Sequence, residues 1–213
     1  MALQARAEAT RQRILDSAVD LFAESGYGET GLADVLQRAG VSKGAFYYHF
    51  DSKESVAVAI IEDYSRRNRA AVQEGISDAA PLLERFIAAT FASAALLESD
   101  KTARVGNQLL QALGQVSSVA TKLYGQWTAE FTANLTTAFE NVGTRADIDA
   151  GEMAKATWAG VLGCHLLSSA LNDDPYARLA RAWRAMLRAT VPGDRVQYYD
   201  DLLECTTRDL QAV

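Results

Sequence analysis

Residues 30–53, TGLADVLQRAGVSKGAFYYHFDSK, constrain the fold of this chain more than any other stretch. The first half places apolar residues such as Val35 and Leu36 at helical spacing behind Thr30, whose hydroxyl can accept a hydrogen bond from first-turn amides. Gly40 stands where a left-handed backbone ends a helix at low cost, and Ser42 can cap a second helix. Two short helices joined by a tight glycine turn indicate a helix-turn-helix, whose second helix lies in the major groove of DNA.

The second helix is distinguished by the side chains that it would leave exposed. If Ala45, Phe46 and Phe50 pack against the first helix, the residues left facing outward are Lys43, Gly44, Tyr47, Tyr48 and His49. Tyr, His and Lys side chains donate to phosphate oxygens, and aromatic faces can cover a thymine methyl. The alternative is a helical hairpin with aromatic packing, and the pattern alone does not choose between the two.

Two adjoining segments, LFAESGYGETGLADVLQRAG and GVSKGAFYYHFDSKES, together resemble the DNA-binding signature of the TetR family of bacterial repressors. The resemblance is nearly continuous from Thr10 to Ser55. It implies an all-helical homodimer that binds an operator with three N-terminal helices and is released by a small molecule bound to a larger C-terminal domain. Gly31 and Ala33 depart from the pattern, since many relatives carry a hydroxyl and a basic or polar residue there.

The expected organisation is therefore all-α in two parts. Residues 1–51 form a helix-turn-helix DNA-binding domain, and residues 52–213 form a ligand-binding and dimerisation domain. An apolar content of 49% with three prolines in 213 residues suits a packed helical protein. The net charge of −6 argues against nonspecific binding of nucleic acid by the whole molecule, so DNA binding should be specific and salt-sensitive.

The spacing of apolar residues predicts further helices, and no segment alternates like a strand. Besides the two helices of the motif, they span residues 7–25, 52–75, 82–97, 102–113, 118–141, 149–171, 175–191 and 195–211, with Gly26 ending the first. The helix from residue 52 would connect the two domains. Its basic cluster, Arg66, Arg67 and Arg69, is more typical of a solvated face than of a second DNA site.

The DNA contacts expected from the motif and the resemblance include residues on both sides of it. Lys53 lies in the first turn of a helix that Ser52 can cap, where a cation opposes the helix dipole, and in the family the matching lysine contacts a phosphate. Arg6 could reach a minor groove, whereas Arg11 and Arg13 are equally well read as surface charge. The full set is Arg6, Thr30, Ser42, Lys43, Gly44, Ala45, Tyr47, Tyr48, His49 and Lys53.

Cysteine usage and hydropathy favour a cytoplasmic protein. Cys164 and Cys205 are far apart and suggest neither a disulfide framework nor a zinc site, and no cofactor is indicated. The N-terminal residues lack the apolar core of a signal peptide. Residues 156–171 carry no charge if His165 is neutral, but the run is shorter than the roughly 20 residues of a membrane span, so we predict a buried helix.

The helices at 149–171 and 175–191 are candidates for a dimer interface. The first contains small residues, including Ala156, Gly160 and Gly163, that let another helix approach closely. With their symmetry mates the two helices could form a four-helix seam. Ordinary packing within one chain is the alternative.

The helix at 118–141 carries an apolar stripe that repeats every four residues, namely Leu123, Trp127, Phe131 and Leu135. Such a stripe is usually core. Polar-tipped side chains on apolar helices are also the ingredients of an apolar pocket with a few orienting donors. The predicted ligand-binding set is Tyr64, Thr90, Gln108, Leu123, Trp127, Phe131, Thr157, Trp158, Val161 and His165, although each could instead be a core or surface residue.

A finer resemblance points to a class of signal. The segments QARAEATRQRIL and AWRAMLRATVPGDRVQYYDDLL, with the isolated Trp127, resemble the branch of the family that senses gamma-butyrolactones and related butenolide or furan signals. In that branch a tryptophan of the matching helix contacts the signal, which implies this role for Trp127. A repressor of an efflux or lipid gene with an unrelated apolar inducer is the alternative.

An enzyme is the rival from another class. His165 follows Cys164, but adjacent helical residues point about 100° apart and do not easily share a proton. No phosphate loop, Ser-His-Asp order or metal-ligand spacing appears in the sequence, so nothing in it favours catalysis.

Overall fold

The computed structural model describes residues 2–74, 79–114 and 117–211. These residues form ten α-helices and no strand, which confirms the predicted all-α class. The helices are α1 (Ala2–Glu29), α2 (Leu32–Ala39), α3 (Lys43–His49), α4 (Lys53–Glu74), α5 (Leu82–Ser99), α6 (Lys101–Leu113), α7 (Ser118–Val142), α8 (Ala150–Leu171), α9 (Pro175–Thr190) and α10 (Gly193–Gln211).

The chain divides into two compact units. The first comprises Met1–Arg69 with Leu96–Tyr124, and the second comprises Ala70–Ala95 with Gly125–Val213. The three helices of the DNA-binding motif all belong to the first unit. A functional boundary at residue 51 stays a prediction.

In the first unit, α1 begins earlier than predicted and contains a break. Its helix begins at Ala2 rather than residue 7, because nothing in the sequence before residue 7 stops a helix. Gly26 has φ +79°, a backbone conformation that favours glycine, and so ends the regular helix where the sequence predicted. Ile14, Ala18 and Phe22 are buried on the face of α1 that packs within this unit.

The helices α4 and α6 cross closely in the same unit. Gly106 of α6 lies against Tyr64 of α4, and Arg67 of α4 donates to the carboxylates of Asp63 and Asp100. Asp100 is also the N-cap of α6, accepting from the Ala103 amide. The start of α6 is thus bound to α4 through charged groups as well as by close packing.

The core of the second unit is built from α5, α7, α8, α9 and α10. Its largest buried side chain is Trp183, whose indole nitrogen donates to the Thr90 hydroxyl at 2.8 Å. On α7, Leu135 and Phe139 are fully buried, while Trp127 and Phe131 of the predicted stripe are only half-buried. The apolar stripe of α7 therefore belongs to the core only at its C-terminal end.

The helix α8, which contains the uncharged run, is buried on one face only within the single chain, so burial of the whole helix stays a prediction that depends on a partner covering its other face. Thr157, Val161 and Cys164 point into the unit, whereas Leu166 and Leu171 are exposed. Hydrophobicity along the chain does not distinguish a buried face from an exposed apolar one. Among the described residues, no helix has both the length and the apolar content needed to cross a bilayer.

Candidate DNA interface and effector site

The structure forms the predicted helix-turn-helix. Gly40 ends α2 in the left-handed conformation, with φ 61° and ψ 39°, and its amide donates to the Gln37 carbonyl at 3.2 Å. Ser42 caps α3 by accepting from the Ala45 amide at 3.1 Å. These local bonds fix the turn and hence the angle at which α3 leaves α2.

The predicted cap of α2 was wrong by one residue. Gly31, in an extended conformation, is the N-cap, and its amide donates to the Asp34 carboxylate at 2.8 Å. Thr30 is only 3% exposed, and its hydroxyl donates to the Gly26 carbonyl at 2.8 Å. The Thr30 hydroxyl therefore binds the break in α1 and is not presented to a DNA phosphate.

The helix α3 separates a buried face from an exposed face as predicted. Phe46 and Phe50 are buried, whereas Tyr48 is 77% exposed and Tyr47 is 47% exposed. Lys43 and Gly44 are also exposed, while Ala45 and His49 are half-buried. The exposed tyrosines have aromatic neighbours along α3 itself: Tyr47 stands edge-on to Phe46, and Tyr48 stands edge-on to His49. These two aromatic rings are therefore available to contact a partner.

An open groove of about 680 Å³ runs between the start of α1 and the helix α3. Arg6 lies on its α1 side, and Tyr48 and His49 lie on its α3 side. Arg11, by contrast, stacks its guanidinium over the buried Phe50 ring at 5.3 Å. The arrangement places the Arg6 side chain and the exposed Tyr48 on the same groove, and both side chains can contact DNA phosphates.

Sequence reasoning missed three residues of this groove, Gln4, Ala7 and Thr10. They recur every three residues and so share one face of a helix, but only if α1 begins at or before Gln4. This spacing is visible in the sequence, but the predicted start of α1 at residue 7 left Gln4 outside the helix.

Lys53, the first residue of α4, has its ammonium group at the break in α1. Its Nζ donates to the carbonyl oxygens of Tyr27 and Thr30 at 2.8 and 2.7 Å and lies 4.1 Å from the centre of the Tyr27 ring. The turn that contains Lys53 is closed by Ser52 and Ser55, and the hydroxyl of each serine accepts the other's amide proton at 3.1 Å. The predicted contact of Lys53 with a phosphate stays a prediction.

An aromatic cluster in the second unit contains two of the predicted ligand residues. The rings of Phe131 and Trp158 are stacked with centres 4.3 Å apart, and Phe86 stands edge-on to Phe131 at 5.4 Å. The Trp158 indole donates to the Thr128 hydroxyl at 3.1 Å. All these rings are half-buried, as is Trp127 on the same helix as Phe131. The chain therefore covers only part of the apolar surface of these rings.

Two of the predicted polar contacts have their hydrogen bonds satisfied within the core. The Thr90 hydroxyl accepts from Trp183 and donates to the Ile87 carbonyl at 2.7 Å. The Thr157 hydroxyl donates to the Met153 carbonyl at 2.8 Å, and Thr157 is buried together with Val161. For Thr90 and Thr157 the structure thus favours the core alternative that the sequence left open.

His165 and Cys164 do not form a catalytic pair. Burial lowers the pKa of His165 to about 4, so its imidazole is neutral at pH 7. Burial raises the pKa of the Cys164 thiol, whose Sγ lies 3.8 Å from the Arg178 carbonyl. A protonated thiol bonded to the backbone is a poor nucleophile.

The remaining predicted ligand residues, Tyr64, Leu123 and Gln108, belong to the first unit. Tyr64 is buried, which raises the pKa of its phenol and keeps it neutral, and Leu123 is half-buried. Gln108 is exposed on α6. A role for these three residues in binding stays a prediction.

The exposed face of α8 carries three large apolar side chains. Leu166, Leu167 and Leu171 are 54%, 45% and 63% exposed. Gly160 instead faces α9 of the same chain, where a Cβ would lie 3.2 Å from Cε of Met186. The small residues of α8 thus serve packing within the chain at Gly160, while the leucines are left uncovered on the outside.

Comparison with known proteins identifies the family to which the chain belongs. The sequence profile described as "Bacterial regulatory proteins, tetR family" matches residues 14–60. The chain is 31% identical to a crystal structure of a gamma-butyrolactone receptor described as ArpA-like, covering 96% of this chain and 99% of that one with a TM-score of 0.77. The structure of CprB from Streptomyces coelicolor with its biological operator sequence is likewise 31% identical, with the same coverage and a TM-score of 0.71. The chain belongs to the TetR family of transcriptional regulators.

A relative of known name extends the likeness along the chain. The A-factor receptor protein of Streptomyces griseus is 30% identical over 189 residues, or 88% of this chain. The match spans 66% of that protein's own length, and the match to the regulator SrpR of Pseudomonas putida spans 27% of its length. These relatives are DNA-binding regulators rather than enzymes.

Proposed function

We propose that this regulator is a cytoplasmic repressor that binds a pseudo-palindromic operator as a homodimer and is released by a small apolar signal of the gamma-butyrolactone or butenolide class. The observation that carries the proposal is the likeness to gamma-butyrolactone receptors along almost the whole chain, including the second unit. A likeness limited to the DNA-binding helices would carry no information about the signal.

The surface formed by α3 and the start of α1 supports the DNA half of the proposal. Lys43, Tyr47 and Tyr48 are exposed together on α3, and Arg6 lies across the groove from Tyr48. Tyrosine and lysine side chains at the start of a recognition helix can reach base edges and phosphates. The proposed contacts are Arg6, Ser42, Lys43, Gly44, Ala45, Tyr47, Tyr48 and His49.

The leucines of α8 support the homodimer. Fully burying an exposed leucine side chain contributes roughly 1.5–3 kcal/mol, and Leu166, Leu167 and Leu171 are each about half exposed, so covering each of them would contribute about half that amount to association. Two-fold symmetry brings the same face from each protomer together, so one exposed stripe is sufficient. Two copies of α3 then read two half-sites about 34 Å apart or a multiple of that distance.

The aromatic cluster of the second unit supports the part of the proposal that concerns binding of the signal. Phe131 and Trp158 present stacked rings that can desolvate a short alkyl tail. A lactone ring has only acceptor oxygens, so it needs a donor, which a neutral His165 or the Trp127 indole could supply. We propose Trp127, Phe131, Trp158 and His165 as the binding set within this unit.

The proposal is tested by selecting DNA and then releasing it. The wild-type protein is used to select duplexes from a random library, and binding to the selected duplex is followed by gel shift while a gamma-butyrolactone or butenolide is added. We expect selection of a sequence with two-fold symmetry and loss of the shifted band with the signal. A tenfold weakening requires about 1.4 kcal/mol of preference for the released conformation.

A variant locates the signal site. Trp127→Ala should fold, dimerise and bind the selected duplex like wild type but remain bound when the signal is added. Equal release of both proteins would remove Trp127 from the site. Release of wild type only by unrelated apolar compounds would favour a repressor of an efflux or lipid gene.

A further inference from the structure

The joint between α1 and α2 has backbone carbonyls that the helices cannot satisfy. Gly26, with φ 79° and ψ 163°, interrupts the regular backbone of α1, and α1 ends at Glu29, so the carbonyls at this end of α1 have no following helical turn to supply donors. The Thr30 hydroxyl binds the Gly26 carbonyl, and the Lys53 ammonium binds those of Tyr27 and Thr30. Two side chains thus hold the joint, one from within it and one from α4.

The position of Lys53 is electrostatically favourable because of this joint and not because of its own helix. A cation in the first turn of α4 opposes the dipole of α4, but it is favourable beside carbonyls at the end of α1. The last turn of α1 contains no basic residue of its own. Lys53 therefore supplies from another helix the positive charge that the end of α1 lacks, and the Tyr27 ring, 4.1 Å away, adds a cation–π contact.

The joint leads directly into the helix-turn-helix formed by α2 and α3. Gly31, the N-cap of α2, directly follows Thr30, and α2 leads through the Gly40 turn into α3. On the other side, Lys53 is followed in α4 by Val56 and Ile60, both buried. A bond from Lys53 to the joint therefore fixes the start of the helix-turn-helix relative to α4.

We propose that Lys53 is a positioning residue, which sets the orientation of α2 and α3 relative to α4 by bonding the Tyr27 and Thr30 carbonyls, and that its effect on DNA binding acts through this joint. The inference rests on the proposed DNA binding for its functional part. It replaces the expectation, taken from the family resemblance, that Lys53 acts mainly as a phosphate contact.

The experiment compares Lys53→Met, which keeps most of the stem and removes the charge, with Lys101→Met as a matched control. Lys101 is an exposed lysine of the first unit that forms a surface ion pair with Asp20 at 2.6 Å, a kind of contact that contributes little. Thermal unfolding without DNA should show Tm lowered by about 3–6 °C in Lys53→Met and nearly unchanged in Lys101→Met. Hydrogen exchange should become faster at the amides of residues 27–31 in the Lys53 variant alone.

Binding to the selected duplex separates positioning from phosphate contact. At a temperature where both proteins are folded, Lys53→Met should bind about tenfold more weakly than wild type, with the same slope of log K against log salt concentration. Lys43→Met, at a proposed DNA contact, should lower that slope by about one if it binds a phosphate.

The results that would contradict the positioning role can be distinguished from failure of the proposed function. A slope lowered by about one in Lys53→Met, or a folded Lys53→Met that binds as tightly as wild type, would overturn the positioning role. Unchanged Tm and exchange would overturn it without any DNA. If wild type selects no duplex, the proposed function fails, and the unfolding and exchange measurements still decide whether Lys53 holds the joint.

Discussion

Gly106 of α6 and Tyr64 of α4 lie so close that a β-carbon on residue 106 would come within 2.5 Å of the Tyr64 Cβ and 3.0 Å of the Ile60 carbonyl oxygen. Neither atom belongs to the far end of a flexible side chain. The two helices can approach this closely only because residue 106 has no side chain, so their spacing depends on a single glycine.

Gly106→Ala should therefore destabilise the protein, although alanine is the better helix former. Overpacking of this kind costs about 1–3 kcal/mol, to be measured as the free energy of unfolding in denaturant. Gly125→Ala on α7 is the matched control because a Cβ there meets nothing within 4 Å, and it should be neutral or stabilising by up to about 1 kcal/mol. Equal stability of the two variants would mean that α4 and α6 separate without cost.

Thr90→Val should destabilise the second unit by about 1–3 kcal/mol, because it leaves the buried Trp183 indole N–H without its acceptor. Thr90→Ser retains the hydroxyl and should recover most of the loss. Thr137→Val, at an exposed threonine of α7, should change stability by less than about 0.5 kcal/mol. Chemical denaturation of the three variants measures the differences, and a Thr90→Val protein as stable as wild type would contradict the importance of this bond.

His165 should make stability fall in acid. Its pKa is lowered to about 4 in the folded protein from the ordinary value of 6.5, so the unfolded chain binds more protons between these values. The resulting contribution is fully present above about pH 6.5 and is lost as the pH falls toward 4. His165→Gln should show a weaker decline of unfolding free energy over this window, and an identical pH profile for both proteins would exclude His165 as a cause.

Leu171→Glu should weaken dimerisation because it places a charge on the exposed apolar face of α8. Val119→Glu is a suitable control, since Val119 is an exposed apolar residue of α7 outside that face. Sedimentation velocity at micromolar concentration should show a dimer for wild type and the Val119 variant, and a shift toward monomer for the Leu171 variant. A monomeric wild type would refute the proposed α8 interface.

The helices could be predicted because their limits are set by nearby residues. Asp149 caps α8 by accepting from the Glu152 amide, and Gly40 and Ser42 mark the turn of the motif, all within a few positions along the chain. By contrast, the hydrogen bonds that decide which polar side chains remain available for a ligand or for DNA join residues that are far apart in the sequence. The Trp183 indole binds Thr90, 93 residues away, and the Lys53 ammonium binds carbonyls 23 and 26 residues away. Periodicity carries no information about such pairs.

The extension of α1 back to Ala2 has a practical consequence for handling the protein. Gln4 and Arg6 line the groove beside Tyr48, so any peptide fused ahead of residue 2 joins the chain a few residues from the proposed DNA-reading surface. A polyhistidine tag attached there would add its own attraction for phosphates or obstruct the groove, and would alter the measured salt dependence. Purification handles belong at the other end of the chain, and affinities from N-terminally tagged protein describe the tag together with the regulator.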